Sequence, residues 1–303
     1  MSRALDRKMD KLLALEEQKK AKTSYGSRAL RKILANRLSV FGFVVFLVIV
    51  IMCFAAPLFT SYSATSIDLK MRLTPPSWAH ILGTDQIGRD LFARILYGGQ
   101  ISIFVGLGSA VGATVIGVAV GVYAGYVGGW LDSIIMKVSE ILMSFPQIIL
   151  VLVLVTITGR SMWNLIIIFV VTGWPSIYRM ARAQMLSIRE EEYVQALQAF
   201  GIGRFKVSFK HMLPNAVGPI FVNITLSTAM FILQESALSF LGLGVPQNIS
   251  TWGNILNAAQ DITILQTAWW VWLPVGIVIT LFVLAINFIG DGMRDAADPT
   301  QIG

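Results

Sequence analysis

The sequence predicts an all-α membrane protein with six transmembrane helices, and three observations carry that prediction. Only 14% of the 303 residues are charged and 55% are hydrophobic, whereas soluble domains carry about 25% charged residues. Six mostly apolar runs, including Leu38–Phe59 and 269–290, match the roughly 20 residues that a spanning helix needs. The runs are continuous, which excludes the short alternating segments of a transmembrane β-barrel.

In chain order, residues 1–37 form a charged tail with Leu5, Met9, Leu12 and Leu13 at helical spacing, read as solvated and partly helical. Residues 38–59 are the first span. A charged region of 37 residues followed by an apolar run of spanning length fits an uncleaved helix rather than a signal peptide. Cys53 is the single cysteine, so no internal disulfide forms, and it reads as a small apolar filler. Residues 60–100 form an outer segment broken at Pro75-Pro76. There Asp85 is expected to cap a turn, and Asp90 to cap a short helix leading into the second span.

The remaining five spans lie at about 101–125, 133–158, 163–180, 217–241 and 269–290. In the second, Gly108 and Gly112, then Gly117, Gly121 and Gly125, recur four apart, which opens one helix face to close approach by another helix. Pro146 and Pro175 fall inside spans and are expected to kink them. Lys137 and Glu140 are placed to pair at i, i+3. Residues 291–303 are the C-terminal segment.

Charge orients the bundle. Nineteen of the 24 Lys and Arg fall on segments sharing a side with the N-terminus, and five on the other. Basic residues stay on the cytoplasmic side, so both termini are expected there. The formal net charge of +7 then reflects topology and not nucleic-acid binding.

The loop 181–215 is too polar to cross a membrane and too long for a minimal turn. Within it Glu190–Phe200 reads as a short helix. Its glutamates stand at the N-terminal end, where the helix dipole favours negative charge. Ala196, Ala199 and Phe200 repeat at i, i+3, i+4 and make one small apolar stripe. Gly201 and Gly203 end it, and Pro214 opens the next segment. The stripe needs something to pack against, and a groove on a cytoplasmic partner is the natural occupant.

At this loop the sequence resembles a known family. Gln195-Ala196-Leu197, three residues, Gly201, nine residues, His211, one residue and Leu213-Pro214 follow the spacing of the cytoplasmic loop of ABC importer permeases. Gln195, Leu197 and His211 stand where that pattern has Glu, Ala and Ile. Leu82-Gly83-Thr84-Asp85 with Gly88-Arg89-Asp90, Ser239–Gly244, and Gly290–Asp295 with Asp298-Pro299 look like its peptide and nickel branch. The resemblance is nearest to the C-type permeases of oligopeptide and dipeptide importers, from about residue 28 onward.

That resemblance implies the type I ABC importer permease fold in a bacterial inner or plasma membrane. It implies a second homologous permease with which this chain forms the translocation path, two ATP-binding subunits, an extracytoplasmic substrate-binding protein, and membrane lipid. It assigns coupling to the ATPase to Glu191, Glu192, Gln195, Ala196, Leu197, Ala199, Phe200, Gly201, Leu213 and Pro214. It puts ATP and Mg on the partner subunits and no cofactor on this chain, with peptide, or alternatively nickel, as substrate. Independently, no lysine here follows a glycine, so the phosphate loop of an ATPase is missing.

Two other function classes compete. An ion-coupled carrier would use Glu235, an ionisable residue inside the fifth span, although a carboxyl hydrogen-bonded within the bundle explains it equally simply. An intramembrane enzyme would need a nucleophile with a base, or paired aspartates, at membrane depth, and no span carries them centrally. His80 and His211, the two histidines, lie outside the spans on opposite sides, so no joint metal site is expected.

Overall fold

Helix α1, Arg37–Phe54, begins where Asn36 caps it, its side chain accepting from the backbone N–H groups of Leu38 and Ser39. The structure, a computed structural model, describes Leu34 and residues 36–297. Residues 1–33 of the charged tail, residue 35 and the Asp298-Pro299 pair lie outside the described residues.

Helix α2, Leu91–Val127, is 37 residues long, or about 55 Å at 1.5 Å per residue. That exceeds the roughly 30 Å hydrocarbon thickness. It starts ahead of the expected Ile101 because Asp90 caps one continuous helix and no separate short one: Asp90 Oδ1 accepts from the Ala93 N–H at 2.7 Å. Gly98 and Gly99 then let the Thr251-Trp252 backbone and indole lie against the first turns.

The expected third span, 133–158, is broken. Helix α3, Gly129–Met143, and helix α4, Gln147–Thr158, meet at a bend of 85°. Pro146 stands at the break with ψ 122°. Proline cannot continue a helical hydrogen-bond ladder and disfavours helical geometry in the residue before it. Helix α5, Met162–Arg189, runs nine residues past the expected end at Met180 and keeps Pro175 inside it.

Helix α6, Glu192–Ala199, follows. A continuous helical stretch, Arg204–Phe240, next winds through a π segment, Val207–Met212, and a 3₁₀ turn, Leu213–Ala216, into helix α7, Val217–Phe240. Two short helices, α8 (Trp252–Leu256) and α9 (Ile262–Thr267), precede the last helix, α10, Trp269–Ala297. Among the described residues, five helices are long and apolar enough to cross a membrane, and six spans result if the bent pair is counted as one.

The glycine stripe on α2 meets α5. A Cβ at Gly117 would stand 2.7 Å from Ile177 Cβ, one at Gly121 2.7 Å from the Tyr178 carbonyl oxygen, and one at Gly125 3.1 Å from Arg182 Cα. The two helices advance in register together, so they pack parallel with their backbones close. Without Cβ atoms, van der Waals contact replaces the hydrophobic drive that lipid does not provide. One core cluster, with Phe169, Ile177 and Met212, fills the space between α2, α5 and the α6 region. A second, with Trp252, Val275 and Phe282, joins α2, α8 and α10. Cys53 is buried in it, as a filler should be.

The starts of α2, α5 and α10 therefore share one end of the bundle with the ends of α1 and α7. Helix α6 lies at the other end, where Asn36 donates to Asp295 at 3.3 Å. Lys137 and Glu140 pair as expected at 2.8 Å on an exposed face.

Candidate functional site

The α6 region is built from the inside out. Val194 is fully buried and Leu197 half-buried, so this edge seats the helix on the core. The opposite edge carries Glu192, Gln195, Ala196, Ala199 and Phe200, all exposed, with Phe200 at 82%. The expected apolar stripe is thus left uncovered by the chain's own packing, and Val194, which the stripe does not include, does the anchoring.

The C-terminus is locked. The Gly201 N–H donates to the Gln198 carbonyl at 2.9 Å and the Ile202 N–H to the Leu197 carbonyl at 3.2 Å. These are the paired bonds of a Schellman ending, with Gly201 at φ +72°, where glycine meets no Cβ penalty. Leu197 and Ile202 both pack on the core, completing the motif's hydrophobic contact. At the other edge Asn215 donates to Tyr193 Oη at 2.7 Å. Glu191 occupies the N-cap position and is exposed. Leu213 is half-buried against the core, and Pro214 is exposed in the following 3₁₀ turn. Of the ten residues expected to couple to a partner, Leu197 and Leu213 therefore support the helix, and the rest present a surface.

A cluster that no spacing in the sequence announces secures the same end. Arg182 donates from Nε and Nη2 to the two Asp132 oxygens at 2.6 Å each, and Tyr178 Oη donates to Oδ1 at 2.8 Å. This bidentate fork ties the start of α3 to α5. The partners are 46 and 50 residues apart in sequence, so only tertiary packing brings them together.

Glu235 is fully buried at the opposite end of α7. Ser239 Oγ donates to its Oε1 at 2.7 Å and Ser102 Oγ to its Oε2 at 3.2 Å. Ser102 Oγ in turn accepts from the Trp252 N–H at 3.1 Å. The carboxyl is thus a node joining α2, α7 and α8, with both oxygens engaged.

Asp85 organises the outer segment. Its Oδ1 accepts from the N–H groups of Ile87 and Arg89, capping a turn as expected. Its Oδ2 meets Arg89 Nε at 2.7 Å and Arg94 Nη1 at 2.5 Å. Burial pushes the Asp85 carboxyl up, but Arg94, the Arg89 N–H and the Arg89 charge together hold it below the usual carboxylate range. His80 Nδ1 lies 2.8 Å from Asp90 Oδ2, while His211 sits in the π segment at the α6 end.

Comparison with known proteins covers nearly the whole chain. Residues 117–302 match the binding-protein-dependent transport system inner membrane component family. Residues 24–76 match the N-terminal transmembrane domain of oligopeptide transport permease C. A Brucella suis protein described as a peptide permease is 42% identical over 279 residues, covering 92% of each chain. The dipeptide transport system permease protein DppC of Bacillus subtilis is 38% identical over 281 residues, 93% of this chain and 88% of its own. The oligopeptide transport system permease protein OppC of the same organism is 36% identical over 285 residues, 94% of this chain and 92% of its own.

Proposed function

Because the chain belongs to the binding-protein-dependent transport system inner membrane components, with the type I ABC permease fold, we propose that α6 is the element through which ATP hydrolysis drives its movement. The chain is a multi-pass inner membrane permease subunit of a peptide importer, and not an enzyme. Subunits that bind ATP and a protein that binds substrate complete such a machine. The carrier reading through Glu235 has no support, since the relatives are permeases of peptide transport systems.

In the proposed assembly, a second homologous permease supplies the other half of the path, and two ATP-binding subunits hold Mg-ATP. Residues 181–215 and both termini face the cytoplasm, as the basic bias of that end favours. The observation that carries the reading is the uncovered edge of α6: Ala196, Ala199 and Phe200 outward on a helix whose other edge is seated through Val194. An apolar stripe of this size suits a groove on a partner. A seated helix with a locked C-terminus transmits displacement into α5 and α7 rather than bending at its own end.

The test is to place Ala196→Glu in the reconstituted importer and measure peptide uptake and ATP hydrolysis separately. Uptake should fall while the subunits stay assembled and hydrolysis continues unstimulated by substrate. Wild-type uptake in that variant would overturn the assignment.

A further inference from the structure

A cavity of about 470 Å³ opens beside the C-terminus of α6, next to Gly201. It lies where α2 and α5 end, and Tyr126 and Val127 line it. Arg189, the last residue of α5, enters from one element, and Arg204, the first after Gly203, from another. Gln198 adds a third side-chain donor. The remaining wall is the Gly201–Gly203 backbone. A Cβ at either glycine would meet no heavy atom within 4 Å, so the space beside this backbone is open.

The charge balance is one-sided. Among the described residues, no Asp or Glu lines the cavity. Arg204 makes no ion pair among the described residues, and Arg189 has only Glu190, at 3.7 Å from a largely exposed side chain. A long contact to a solvated carboxylate holds little energy. Arg189 Nη1 sits beside Gly128, on the α2 side. Among the described residues, two guanidinium forks thus border one small volume, and the only carboxylate paired with either is the solvated Glu190. Each fork presents N–H donors in the planar geometry that matches phosphate oxygens.

We propose that this cavity binds a phosphate group, clamped between Arg189 and Arg204 with Gln198 as an accessory donor. The same chemistry has two sources. A lipid headgroup would reach it because the cavity lies where two spanning helices end at the basic end of the bundle, and anionic lipids are drawn to such ends. A soluble phosphate compound would enter from the open side. Either would brace the loop that carries α6 against the ends of α2 and α5. The inference does not depend on what the importer carries.

The experiment uses the full chain purified in nonionic detergent. Inorganic phosphate is titrated by calorimetry against chloride at matched ionic strength, and thermal stability is measured in nanodiscs of phosphatidylglycerol or of phosphatidylcholine. The variants are R189Q/R204Q, the charge-conserving R189K/R204K, and K137Q as a distant control. Phosphate binding by the wild type that weakens by about tenfold or more in R189Q/R204Q, with K137Q unaffected, supports the site with a soluble source. Stabilisation by phosphatidylglycerol alone, lost in R189Q/R204Q and partly retained in R189K/R204K, supports it with a lipid source. Equal behaviour of wild type and R189Q/R204Q in both arms overturns the proposal.

Discussion

Asp85→Asn should be among the most damaging single changes outside the spans. The carboxylate accepts from two loop N–H groups and two guanidiniums, and Arg94 is 3% exposed. Arg89 is less buried and can turn toward water, but Arg94 cannot. Removing one partner of a buried pair strands the other charge, a loss of about 3–5 kcal/mol. Removing both is far milder, because no buried charge is left. The assay is a urea titration of the purified chain in nonionic detergent, read by tryptophan fluorescence, for Asp85→Asn, Arg94→Met and the pair. The double variant should be more stable than Asp85→Asn alone, a strongly non-additive cycle. The carboxyl is held below its usual range, so its stabilisation is complete above the unfolded value of about 3.9. It is lost as pH falls through the lower folded value, and the gap between wild type and Asp85→Asn should close below about pH 4. An Asp85→Asn loss under about 1 kcal/mol, or additive losses in the cycle, would refute the stranded-charge reasoning.

Further outcomes follow from the packing. Gly121→Leu should reduce the amount of folded chain in the membrane, since its Cβ alone would meet the Tyr178 carbonyl at 2.7 Å, and overpacking costs about 1–3 kcal/mol or more. Gly276→Leu, in open space on α10, should be tolerated in the same expression and fluorescence size-exclusion assay. Glu235→Gln should assemble and transport near wild-type rate because it still accepts at one oxygen. Glu235→Leu should lower thermal stability by leaving the Ser102 and Ser239 hydroxyls without their shared partner, at about 1–3 kcal/mol per stranded group. Loss of uptake in a fully assembled Glu235→Gln complex would instead restore an ionic role.

The elements legible in the sequence are those set by local rules. Apolar runs located the five long apolar helices and the bent α3–α4 pair, because the bilayer demands length and hydrophobicity together. The four-residue glycine spacing marked the α2 face that meets α5, and Gly201 marked the end of α6. Boundaries set by tertiary contacts were not legible. Helix α2 begins at Leu91 because Asp90 caps it and the Thr251–Trp252 segment covers its first turns, and neither signal is visible in an apolar run. Pro146 suggested a kink, whereas an 85° break depends on what α3 and α4 each pack against. In the α6 region the apolar stripe and its need for an outside partner were readable, but the anchoring edge was not: Val194 and Leu197 seat the helix on the core, leaving Ala196, Ala199 and Phe200 outside. The Asp132–Arg182 fork and the arginine-lined cavity join residues far apart in sequence, so pattern alone gives no access to them.

The most direct test of the coupling assignment is photo-crosslinking from position 200 in the assembled importer, with a photoreactive side chain replacing Phe200. The account predicts an adduct with an ATP-binding subunit that changes in yield between the ATP-bound and nucleotide-free states. Adducts with lipid alone, or with the substrate-binding protein on the other face, would contradict it.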